Sequence, residues 1–130
     1  MSYGSMDRYR EMDVMAMPPA RRLVMLYSQL LSTLRQARHQ MELGQIEART
    51  ERLLHAEEIV RELAVSLDRE RGGDLATRLS ELYSWMLTQV AAIHARPEVA
   101  RVDQVIRIVA ELHEAWGAAA NQVAATPSAA

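Results

Sequence analysis

Apolar residues recur at steps of three and four along four stretches of this chain, and no stretch alternates with the period of a strand. The first stripe is Leu23, Leu26, Leu30, Leu34, Ala37 and Met41. The second is Leu53, Ala56, Val60, Leu63 and Leu67. The third is Leu75, Leu79, Leu82, Met86, Val90 and Ile93. The fourth is Val102, Val105, Val109, Leu112 and Trp116. Each stripe lets one face of a helix be buried against neighbours.

The breaks between stripes have physical causes. Pro18 and Pro19 block any earlier helix, and Pro19 suits a first turn. Gly44 can take the left-handed conformation that ends a helix. Gly72 and Gly73 are expected to end the second helix, with Asp74 capping the third. Pro97 is expected in the first turn of the fourth. Short connections make successive helices antiparallel neighbours. At 1.5 Å per residue, helices of roughly 22 residues span about 33 Å. The expectation is an all-α, antiparallel up-down four-helix bundle over residues 19–122. An N-terminal arm, 1–18, precedes it, and a frayed, disordered tail, 123–130, follows the proline-containing end.

Composition narrows the function more than the fold. A chain of 130 residues is one domain with a modest core. It has no cysteine, which removes disulfides, thiolate zinc sites and a cysteine nucleophile. All fifteen basic residues are arginine, read here as a genome-level bias. A net charge of -2 offers no footprint for nucleic acid or an anionic membrane. No apolar run approaches the ~20 residues of a membrane span. The start, MSYGSMDRYREMD, lacks a signal-peptide pattern. A soluble, cytoplasmic protein without membrane insertion is expected.

Chemistry is sparse. A di-iron bundle needs Glu-x-x-His on two helices. The residues three before His39, His55, His94 and His113 are Gln36, Arg52, Ala91 and Ala110. There is no phosphate loop and no nucleophile elbow, and Asp68 reads as part of an ordinary charged helix end. The expectation is no enzyme, no catalytic residues, no cofactor and no metal.

The informative residues lie off the stripes. Leu54 and Val65 share a side of the second helix with Glu58, Arg61 and Glu62, roughly opposite its stripe. Met25 is similarly opposed to the first stripe, beside Arg21, Arg22 and Ser28. Tyr83 and Leu87 flank one edge of the third stripe and Trp85 the other; Ile106 and Ile108 flank the fourth. Single exposed apolar residues are ordinary, and a wide stripe can serve two neighbours. Together they suggest a surface for another helix or peptide. The segment from Tyr9 to Tyr27 holds four of the eight methionines, which suit an arm that lies on such a surface.

Several motifs, taken together, resemble the FliS family of flagellin export chaperones. Tyr9, Val14 and Pro19 are spaced by five, followed by LVMLY ending at Tyr27. LAVSLDRERGG from Leu63 to Gly73 resembles that family's leucine-aspartate and paired-glycine junction. LSELYSWM and VDQVIRIVAELHEAW resemble its third and fourth helices. The match covers about residues 9 to 117 in register, and carries over Tyr9, Val14, Tyr27, Asp68, Gly72, Gly73, Tyr83 and Trp116. Two departures are Ser28-Gln29 in place of Asp-Gly, and MAMP in place of a Ser/Thr-rich segment.

The resemblance implies a chaperone that binds the C-terminal region of flagellin in the cytoplasm. It would prevent premature polymerisation and aid delivery to the flagellar export gate. It also implies an arm, anchored by Tyr9 and Val14, that covers a patch used by flagellin. Helical position nominates Met25, Leu54, Val65, Tyr83, Leu87 and Ile106 as partner-facing. Tyr27 is expected at the edge of its stripe with a wet hydroxyl. The rival reading is a self-associating bundle that uses the same off-stripe residues. A ligand- or metal-binding bundle enzyme is the third, opposed by the missing Glu-x-x-His.

Overall fold

The structure, a computed structural model, describes residues 19–125 of the chain. It contains four helices: α1 (Pro19–Glu42), α2 (Ile46–Val65), α3 (Arg69–Ala95) and α4 (Val99–Ala125). α1 packs on α2 and α4, and α3 on the same two, so α1 and α3 lie on a diagonal of an up-down bundle. Loops 43–45 and 96–98 close one end, the turn end. Loop 66–68, the start of α1 and the end of α4 form the other.

Gly44 ends α1 as its sequence suggests, at φ +70°. The Gln45 N–H reaches the Gln40 carbonyl at 2.9 Å and the Gly44 N–H reaches that of Met41 at 3.2 Å. These paired bonds are the Schellman closure, and they satisfy carbonyls that a helix end otherwise orphans.

Four boundaries differ from expectation. α2 ends at Val65, well before the paired glycines. Asp68, not Asp74, caps α3, its carboxylate accepting from the Arg71 N–H at 3.1 Å. One helical turn then forms before Gly73 breaks the geometry at φ 51° and ψ −129°, so the glycine kinks α3 rather than separating two helices. Pro97 lies outside α4 altogether; the Glu98 carbonyl accepts the first bonds of that helix, from Arg101 and Val102. α4 continues past residue 122 to Ala125.

The core has two parts. Near the turn end, Ala37, Leu53, Val90, Ile93 and Val102 are all at most 1% exposed. The larger part centres on Leu30, Leu34, Leu63, Tyr27, Tyr83 and Met86. Fully burying a leucine contributes about 1.5–3 kcal/mol, so these residues outweigh the surface pairs. Thr33 is the one buried polar residue among those described, and its hydroxyl donates to the Gln29 carbonyl at 2.7 Å. Leu31 and Ile59 are also core, outside the expected stripes, because α1 and α2 each face two neighbours. Polar ties cross the seams: Arg38 grips Asp103 of α4 through Nε–Oδ1 at 2.5 Å and Nη2–Oδ2 at 3.3 Å. His94 of α3 lies 3.6 Å from Glu57 of α2.

Candidate functional site

Among the described residues, the end opposite the two turns is not filled. An apolar pocket of about 370 Å³ opens there between α1, the α2–α3 junction and α4. Leu23, Leu63, Leu67, Leu75, Leu79 and Trp116 supply most of its wall, with Ala76 and the Tyr83 ring beyond. Asp68 and Arg71, 3.8 Å apart, stand at its polar rim. A smaller hollow of about 210 Å³ shares Leu23 and Ser66 with it and extends to Pro19, the first described residue.

Local sequence explains the opening. The stripe of α2 runs out at Leu67, just past the helix end, and the chain must reverse. The Asp68-capped turn and the Gly73 kink set the first turn of α3 at an angle to the rest of the helix. Leu75, placed in the third stripe by periodicity, follows the kink by two residues and is 56% exposed at the pocket mouth. The kink uses a backbone conformation open to glycine alone. Gly72 is needed for another reason: a Cβ there would lie 2.6 Å from the Ala76 Cβ.

Behind the pocket sits a buried aromatic layer. The hydroxyls of Tyr27 and Tyr83 meet at 2.5 Å, joining the diagonal helices α1 and α3. Tyr27 also packs on Trp116, their ring centroids 6.5 Å apart. Burial pushes Tyr27 above its ordinary 10.0, opposed by the Tyr83 hydroxyl and the Trp116 indole. Burial raises Tyr83 too, and the bond to Tyr27 raises it further, which fits Tyr83 as donor. The Trp116 Nε1 is buried without a hydrogen-bond partner of good geometry.

The nominated residues scatter. Tyr83 is 1% exposed, so it is a core residue whose ring backs the pocket, not a free contact surface. Tyr27, expected wet, is 0% exposed, because the two hydroxyls satisfy one another. Leu54 and Val65 are exposed on α2, Val65 at 86%. Leu87 and Ile106 are half-buried against the core, and Met25 is half-buried on α1. Tyr9 and Val14 lie outside the described residues. Periodicity assigns Leu23, Leu67 and Leu75, which line the pocket, to the core; the paired glycines that follow Leu67 are the signal that this end is different. Among the described residues no three histidine or acidic side chains could hold a metal ion, and no helix is long and apolar enough to cross a membrane.

Residues 2–123 match the family model described as flagellar protein FliS. A Vibrio cholerae protein named as a flagellar secretion chaperone FliS is 32% identical over 117 residues, 87% of this chain and 86% of that one. A Salmonella typhimurium protein of the same name is 34% identical over 107 residues, 82% of this chain and 79% of that one. A solved flagellar chaperone from bacteria superposes with a TM-score of 0.76, covering 94% of this chain and 99% of its own, at 21% identity.

Proposed function

The chain belongs to the FliS family of flagellar chaperones, and from that premise we propose that it binds the C-terminal region of flagellin in the cytoplasm, blocks premature polymerisation and passes its cargo to the flagellar export gate. The observation that supports this most is the open apolar pocket beside the exposed Leu75. A bundle of this length could have filled it. Instead, five leucines and a tryptophan face a space that an apolar side chain of another segment fits. Flagellin's terminal segment must carry apolar positions that pack only in the filament. A reversible binder shields them until then. Ordering that segment costs about 2–5 kcal/mol or more of the gross interaction energy.

Residues 1–18 join the bundle where Pro19 borders the hollow next to the pocket. In this reading the arm, through Tyr9 and Val14, competes with flagellin for the same surface. Leu54, Val65, Leu87, Met25 and Ile106 are proposed to extend the contact along the bundle. Self-association is the competing use of the exposed Leu54 and Val65.

Calorimetric titration with a flagellin C-terminal peptide tests the reading, using the full chain and one lacking residues 1–17. Expected are saturable one-to-one binding, a negative heat-capacity change and tighter binding after truncation. No binding by either form, together with a dimer by mass in solution, would replace the chaperone reading with self-association.

A further inference from the structure

α1 is a basic helix in a slightly acidic chain. It carries four arginines and His39 against one carboxylate, Glu42, although the chain's net charge is -2. At about 100° per residue, Ser28, Ser32, Arg35, Gln36 and His39 share an arc about 100° wide. That arc borders α4, where His113 completes a groove of about 480 Å³ with Leu31 in its wall.

The side chains that line this groove with N–H donors are unpaired. Among the described residues, the side chains of Arg35, His39 and His113 make no hydrogen bond or ion pair. The nearby acids are committed or turned away. Glu42 and Asp103 both bond Arg38. Glu111 and Glu114 lie about 160° and 100° round α4 from His113. Among the described residues, no carboxylate lines the groove.

We propose that the α1–α4 groove is a second docking strip, which takes an acidic peptide segment with carboxylates one helical turn apart. Arg35 is its charged anchor, and the imidazoles of His39 and His113 donate N–H bonds. Arg35 and His39 are one turn apart, about 5–6 Å, the spacing of an i, i+4 glutamate pair on a partner helix. Ser28 and Ser32 extend the strip with hydroxyls. A nucleic acid would need many cations following its backbone, and this groove offers one arginine. Leu23 of the apolar pocket lies about 140° round α1 from Ser28 of the strip, so the strip and the pocket can be filled together. The strip stands whether or not the pocket receives flagellin.

The test is an NMR titration of the full chain with an alanine-based helical peptide carrying glutamates at i, i+4, and with its glutamine counterpart. Saturable shifts at amides 31–39 and 110–116 with the glutamate peptide alone are expected. Binding should weaken at least about tenfold in Arg35→Glu and also fall at high salt. Arg78→Glu, exposed on α3, should leave it unchanged. Arg35 is exposed, so both Arg35→Glu and the milder Arg35→Gln should keep the helical circular dichroism. Equal binding of the glutamine peptide, shifts confined to residues 63–79, or stronger binding of a DNA duplex or anionic vesicle at the strip would overturn the assignment.

Discussion

The two ends of the bundle solve the same problem differently. At the turn end, small aliphatic residues from all four helices close the core, and the Gly44 turn binds its own carbonyls. At the pocket end, the residues are larger, yet among the described residues none fills the space. The capped turn and kink of α3 hold its wall open. The difference teaches that packing there is organised around something other than the chain's own core. Residue size alone does not close an end; the backbone must bring the side chains inward.

The strongest way to break this comparison is to damage the tight end. Leu53→Ala should cost about 2–5 kcal/mol by denaturant unfolding, since the site is fully enclosed. The folded fraction should still bind flagellin peptide at its original affinity. A matching loss of affinity would mean the ends are not independent.

Next is the kink. Gly73→Ala puts a Cβ on a backbone that only glycine adopts readily, at a cost of about 1–3 kcal/mol. Because the kink sets the pocket wall, peptide affinity should fall with stability. Retained affinity would detach the kink from the site.

The tyrosine pair comes third. Tyr27→Phe leaves the buried Tyr83 hydroxyl unpartnered, at about 1–3 kcal/mol, whereas the double change to phenylalanine should cost less than the two single changes summed. Both tyrosines are raised above 10.0 in the fold. The native state therefore keeps protons that the unfolded chain releases, and stability should fall as pH rises past about 10. The double variant should flatten that slope in alkaline unfolding curves.

The smallest effect on stability sharpens the contrast most. Leu75→Ser and Leu43→Ser are both exposed changes, one at each end, and each should shift unfolding by no more than about 0.5 kcal/mol. Leu75→Ser alone should weaken peptide binding, by more than about 1 kcal/mol if it is a central contact. Equal effects would remove the pocket end's special standing.

These differences also mark what was legible in the residues. Helix number and order follow from steps of three and four, and Gly44 announced its turn. The cap did not declare itself, since Asp68 and Asp74 both precede helical sequence. Only the tertiary packing of Leu67 favours the earlier start. Tyr27 and Tyr83 looked amphipathic because a single helix has no partner for a buried hydroxyl. They are 56 positions apart, and their bond exists only once the diagonal helices meet. A helical projection likewise sets the faces of Leu54 and Ile106 but not which neighbour each face meets. Leu75 keeps the period of its stripe yet is 56% exposed, because it lies in the first turn after the Gly73 kink, at the mouth of the pocket.

The aromatic layer has an optical consequence. The chain holds two tryptophans, and one of them, Trp116, lines the pocket with Tyr27 packed against it. Light absorbed by Tyr27 can therefore pass to an indole whose emission colour depends on water in the pocket. With Trp85 replaced by phenylalanine, the remaining emitter is a native gauge of occupancy, and arrival of a guest can be timed without attaching any dye.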